Sequence, residues 1–262
     1  TLLPAEWTST PWHPLLACAL FIVPGVPLIN FVDDMLDNYI QVGIVRAVNT
    51  LLMVAAMAFG IAFAVKLCRI ENFFPTISMV PHHQYWEYAI AAAISAMGFS
   101  MIFNIQRRLL WVVAIGGIIA VCTRNFVNLG PSTDNIGLDM GLVIGSFSGA
   151  VLVSLIAIKA VHWFHVPNHV LTISSVIPMI PGVLMYRMLF GIININVQSI
   201  DQVTPLMKAI ESGVNSGLVI MCIALGVAIP NIFGRRFIAS SKNKRLAELL
   251  KERKARGKFV EW

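Results

Sequence analysis

Two Pro-Gly pairs sit inside membrane-length apolar stretches of this 262-residue chain, in Phe21-Ile-Val-Pro-Gly-Val-Pro-Leu-Ile-Asn30 and Val176-Ile-Pro-Met-Ile-Pro-Gly-Val-Leu-Met185. A proline inside a helix removes a backbone hydrogen bond and clashes with the preceding turn, at about 3 kcal/mol. In lipid the freed carbonyls find no water, so such breaks survive where they face protein or line a cavity. The helix is expected to break through Pro24-Gly25-Val26-Pro27, and the segment starting near Val26 offers free N–H groups and a positive dipole end, which suit a carboxylate. Carbonyls left bare ahead of the proline suit an ammonium or hydroxyl. Pro178, Pro181 and Gly182 repeat the arrangement, and non-helical backbone is expected at Pro24–Pro27 and at Pro178–Gly182, both at mid-membrane depth and facing the same cavity. The competing reading of each break is a kink that shapes packing. Two breaks in matched positions of two halves favour a solute site.

Polar side chains near the breaks extend the candidate set. Asn30, Asn49 and Asn215 could hydrogen-bond a solute, or could hold helices together at roughly 0.6–2 kcal/mol each. Asp33, Asp34 and Asp37 follow the first break, and Tyr186 and Arg187 follow the second. A charge at the bilayer centre costs at least ~2.5–3.5 kcal/mol, so each is a functional candidate. Asp33 is either a proton-coupling carboxylate or an interfacial one. Arg187 either meets an anionic group or snorkels to the nearby end of its span.

Long apolar elements must position these residues. The chain is 57% hydrophobic and 12% charged, with mean hydropathy +0.77, whereas a soluble domain carries about 25% charged residues. Seven runs, near 12–34, 43–67, 84–104, 108–126, 138–163, 168–191 and 208–232, approach or exceed the ~20 residues a transmembrane helix needs. This predicts an all-α polytopic membrane protein. The first run lacks a basic flank and an A-x-A site, so it does not read as a cleavable signal. The sequence begins at Thr1 rather than Met, which reads as a fragment. Gly137, Gly141, Gly145 and Gly149 read as a ladder for close helix packing on the fifth run.

Charge collects at one end: residues 234–262 hold ten Lys/Arg and three Glu, against nine and ten in the rest. A basic flank after a last span fixes that end in the cytosol and attracts anionic membrane lipid weakly; a nucleic-acid arm is the weaker reading. Alternation then puts 106–108, 159–169 and 37–41 inside, with 69–83, 127–137 and 192–205 outside. Cys18, Cys68, Cys122 and Cys222 form no CxxC pair and read as small hydrophobes. His162, His165 and His169 have spacing a metal could use but no nearby Cys or carboxylate partner, so the reading is no metal and no cofactor. No catalytic or nucleotide-binding motif occurs, so no catalytic residue is assigned and the chain does not read as an enzyme.

An internal repeat links the halves. Residues 48–62 align without a gap on 214–228, with six of fifteen positions identical, Asn49 matching Asn215. Each copy follows a Pro-Gly-Val span. Four spans intervene between the two Pro-Gly spans, so the copies cross the membrane in opposite directions, an inverted repeat of five-helix period. Seven spans cannot hold two such units, so the first is expected to lack three helices.

With these residues in view, the phrase Val23-Pro-Gly-Val-Pro-Leu-Ile-Asn30 and the Asn-bearing helix from Gly43 resemble the end of the first half of the threonine/serine exporter family. The stretch 88–233, with Met97-Gly-Phe-Ser-Met-Ile-Phe-Asn104, Arg107-Arg108 and Val176-Ile-Pro-Met-Ile-Pro-Gly182, resembles its second half. The resemblance implies ten membrane helices, five per half, and a soluble hydrolase-like domain ahead of the first. Neither that domain nor the first three helices is represented here.

The resulting expectation is an inner-membrane exporter of threonine and serine driven by the proton motive force, an antiporter with the proton as coupling ion and a multi-pass, cytoplasmic-tailed topology. Either amino acid supplies the carboxylate, ammonium and hydroxyl that a broken helix can hold. A small dicarboxylate such as succinate is the alternative substrate, and a non-transporting structural or regulatory subunit the alternative role. Expected partners are membrane lipid, the small-molecule substrate, and either a missing N-terminal half or further copies; nucleic acid is not expected. Residues 1–68 read as the last two helices of the first repeat and 69–83 as an extracytoplasmic loop. Residues 84–233 read as a complete second repeat and 234–262 as a tail. The chain alone is expected not to transport.

Overall fold

The computed structural model describes residues 24–67, 84–131, 136–164, 168–193 and 203–255. Among them the chain is all-helical: α1 (Gly25–Leu36), α2 (Ile40–Leu67), α3 (Tyr85–Ile102), α4 (Leu110–Asn128), α5 (Leu142–Phe164), α6 (Asn168–Val176), α7 (Gly182–Ile193) and α8 (Val203–Ala255). Short 3₁₀ turns at Arg107–Leu109 and Ile177–Met179 lead into α4 and out of α6.

Among the described residues, four segments are long and apolar enough to cross a bilayer: Ile40–Met57, Arg107–Asn128, Leu142–Ala160 and Leu206–Gly234. The other three expected spans differ for identifiable reasons. Helix α3 has 18 residues, about 27 Å, and opens on Tyr85-Trp86-Glu87, which lowers its hydropathy. α6 and α7, of 9 and 12 residues, are two pieces of one interrupted stretch. α1 is the part of the first stretch that follows Pro24; the part before it lies outside the described residues. The basic tail is not a separate element as far as Ala255, because α8 runs on from the last span, with Pro230 inside it.

Small residues set the helix spacing. A Cβ at Gly117 would meet Ala96 Cβ at 2.7 Å, one at Gly149 would meet the Ala120 carbonyl at 2.6 Å, and one at Gly226 would meet Ala150 Cβ at 2.8 Å. These contacts join α3 to α4, α4 to α5, and α5 to α8 at backbone distance, as membrane helices pack without a hydrophobic drive between them. Half of the expected glycine ladder is therefore correct. Gly145 and Gly149 pack on α4, but Gly137 and Gly141 precede α5. Gly141 has φ +89, a left-handed turn that glycine adopts without strain.

The core runs through Ile29 and Val32 of α1, Ala120 of α4, Ala150 and Val153 of α5, Val176 and Met179 at the second break, and Ile223 and Val227 of α8. Large apolar side chains such as Trp111, Ile115 and Trp163 point outward, as a lipid-facing surface requires. Tyr85 Oη donates to the Ile136 carbonyl at 2.7 Å, so the start of α3 and the stretch before α5 share one end of the bundle.

Candidate substrate site at two Pro-Gly breaks

The breaks are built alike. α1 and α7 each start at the glycine of a Pro-Gly-Val triplet and each run 12 residues. The first backbone bonds correspond as well: Leu28 N–H donates to Pro24 O at 3.2 Å, and Met185 N–H to Pro181 O at 3.2 Å. Ahead of α7 the chain leaves the α-helix at Ile177, turns through Pro178 and Met179, and extends at Ile180 (φ −62, ψ 127). Pro178 has no N–H to give the Ser174 carbonyl four residues back. Gly182 N–H turns to Ile180 O at 2.8 Å.

The first break is narrower than the sequence suggests. Pro24 is non-helical (φ −76, ψ 70), yet Gly25, Val26 and Pro27 already belong to α1. The first N–H groups of a helix have no intrahelical acceptor, so Pro27 in that turn sacrifices no bond. The expectation of non-helical backbone through Pro24–Pro27 is corrected to Pro24 on this side. The expectation for Pro178–Gly182 holds at Ile180 and Pro181; Pro178 and Met179 form a 3₁₀ turn and Gly182 already starts α7.

The two breaks touch. A Cβ at Gly25 would collide with Cδ1 of Ile180. Met179 and Val176, fully buried, share the core cluster with Ile29 and Val32 of α1. Around this contact the packing is reciprocal: α1 lies on α2 and α8, and α7 lies on α8 and α2.

The polar candidates divide between two places. Pro27 and Asn49 line one surface groove of about 470 Å³ between α1 and α2, together with Gln41, Arg46 and Thr50. Arg46 pairs with Asp34 at 2.6 Å across it. Asp33 instead faces the second half, its carboxylate 3.7 Å from Nδ1 of His169 at the start of α6. Asn30 and Arg187 are half-buried on α1 and α7, and Asn215 is half-buried on α8. Tyr186 lies on α7, its side chain outside the described residues.

Sequence reasoning missed a polar cluster beside the Asp33–His169 pair. Asn168 Nδ2 donates to Asn231 Oδ1, and the Ser154 hydroxyl donates to the Val227 carbonyl at 2.9 Å and lies 3.3 Å from the same Asn231 oxygen. Thr172 donates to the Asn168 carbonyl at 3.1 Å. Asn231 is 5% exposed. These bonds tie α5, α6 and α8 at the end where α1 finishes. The one signal in the sequence was Asn231 directly after Pro230 in an apolar run.

Between residues 168 and 193 lies a membrane-length stretch broken at mid-course, held against a second Pro-Gly helix from the other half of the chain. This defines an all-α membrane protein. Residues 88–233 match the family described as threonine/serine exporter, and residues 3–68 match the one described as putative threonine/serine exporter. The chain belongs to the threonine/serine exporter family, and its family points to an amino-acid exporter. No solved structure matches it.

Proposed function

We propose that this chain forms part of a proton-driven secondary exporter of threonine and serine in the inner membrane, with its tail in the cytosol. The observation that carries the reading is the contact between two identically started helices at Gly25 and Ile180. Each contributes a positive helix end toward mid-membrane, and the breaks supply carbonyls, so one zwitterionic hydroxy amino acid has a group for each. Asn49 and Asn215 are proposed as equivalent positions about an in-plane pseudo-two-fold axis, and Arg187 as a ligand for the substrate carboxylate. Asp33, against His169, is the proposed proton carrier. In proteoliposomes, counterflow of labelled threonine and serine tests the substrate. Succinate moving in their place would support the dicarboxylate reading instead.

One observation favours the alternative that this chain acts as a subunit or half. In the repeat, Gly60 of α2 corresponds to Gly226 of α8. A Cβ at Gly226 would strike α5, whereas one at Gly60 meets nothing within 4 Å among the described residues. Met53 (51% exposed) corresponds likewise to Val219 (0%). Among the described residues this face of α2 is uncovered and suits a helix packed as α5 packs on α8, and transport by the chain in isolation is not expected. Robust uptake by the purified 262-residue chain would refute that requirement while leaving the substrate reading intact.

A further inference from the structure

We propose that the cavity between α4, α5 and α6 binds one anionic phospholipid, its acyl chain between the helices and its phosphate at Lys159. The cavity has about 390 Å³ and is lined by apolar residues such as Val112, Ile119, Val153, Ala160 and Leu171. Among the lining residues Lys159 is the one ionisable group. From Val153 to Phe164 the α5 wall rises about 16 Å at 1.5 Å per residue. That is about half the ~30 Å hydrocarbon thickness, the reach of one chain from one leaflet. Lys159, about 9 Å above Val153, reaches the upper end by its four-carbon stem.

The headgroup end is built for an anion at an interface. Lys159 is exposed at that end, and Trp163, one turn on, is 82% exposed. Tryptophan at this depth marks the headgroup region. Val112 of α4 and Ala160 of α5 share the cavity, so Arg107 and Arg108, ahead of Val112, sit at the same end of the bundle. The charge there is positive and the wall below it is apolar, matching a phosphate above a hydrocarbon chain.

The far wall adjoins the second break. A Cβ at Gly116 would collide with the Ser175 hydroxyl, which is engaged with the Leu171 carbonyl at 2.8 Å and so presents no open donor. Ser175 is two residues before Ile177, where the α-helix ends. An acyl chain here packs beside Ser175, in the turn that leads into the break.

Native mass spectrometry of the purified chain in neutral detergent, titrated with phosphatidylglycerol or phosphatidylcholine, tests the site. Phosphatidylglycerol is expected to bind about fivefold more tightly, the gain of one lysine at an anionic headgroup. Lys159→Gln should remove that preference, and Ala160→Trp should abolish retention of both lipids by filling the cavity. Val112→Phe, on the opposite wall, serves if Ala160→Trp does not fold. Lys254→Gln should keep the preference, separating the cavity from the basic tail. Equal binding of the two lipids, a preference that survives Lys159→Gln, or unchanged binding in the filled variants would overturn the proposal.

Discussion

Gly25 presses its bare α-carbon against Ile180, so that a side chain at one would have to displace the other. The contact joins a helix start in one half of the chain to the extended residue of a broken helix in the other. A Cβ at Gly25 would have to turn the end of the Ile180 side chain aside.

Gly25→Leu should therefore separate the breaks and abolish export, with a stability loss of about 1–3 kcal/mol from overpacking. Pairing it with Ile180→Ala should restore part of the export, because the displaced volume is returned. Export assays at matched membrane abundance check this; failure of the pair to rescue would deny the contact its role.

Asp33→Asn should remove acceleration by a pH gradient while leaving threonine counterflow, which needs no net proton movement. His169→Gln should weaken the same response without eliminating it, as the partner rather than the carrier. Loss of counterflow in Asp33→Asn would instead make the residue a substrate or structural contact.

Arg187→Gln should reduce export by the complete assembly far more than it reduces membrane abundance, since a half-buried cation within a membrane span is costly unless offset. Lys254→Gln, in the tail, should do little. Equal and mild effects of both would return Arg187 to the role of interfacial anchor.

The two glycines of the repeat should behave differently. Gly226→Leu has the Ala150 side chain and the Phe147 carbonyl in its way, and should lower the melting temperature of the isolated chain. Gly60→Leu should leave that temperature unchanged and impair only assembly with the helices that complete α2. Thermal melts and co-purification separate the two outcomes.

Much of this was legible in the chain because proline and glycine act locally. Pro178, Pro181 and Gly182 fix the second break whatever packs around them. The first was read too wide, because Pro27 falls where helix N–H groups have no acceptor in any case. Gly137 and Gly141 share the four-residue spacing of Gly145 and Gly149, yet spacing alone does not tell a turn from a helix. The pairings Asp33–His169 and Asn168–Asn231 are not legible in the sequence, although Asn231 beside Pro230 marks a polar residue in an apolar run. Their partners are 136 and 63 residues apart, and only the packing of α1 and α8 on the start of α6 brings them together. His169 was set aside with two neighbouring histidines for lack of a carboxylate in sequence; the carboxylate comes from the other half.

The central claim is that the paired helix starts hold the substrate. With Cys18, Cys68, Cys122 and Cys222 replaced by Ala, Val26→Cys and Val183→Cys place one thiol in the first turn of α1 and α7 respectively. Maleimide labelling of each, in the complete assembly with and without saturating threonine, reads the site directly. The account predicts that threonine and serine slow labelling at both positions while succinate slows neither. Labelling at either position that threonine and serine leave unchanged would contradict it.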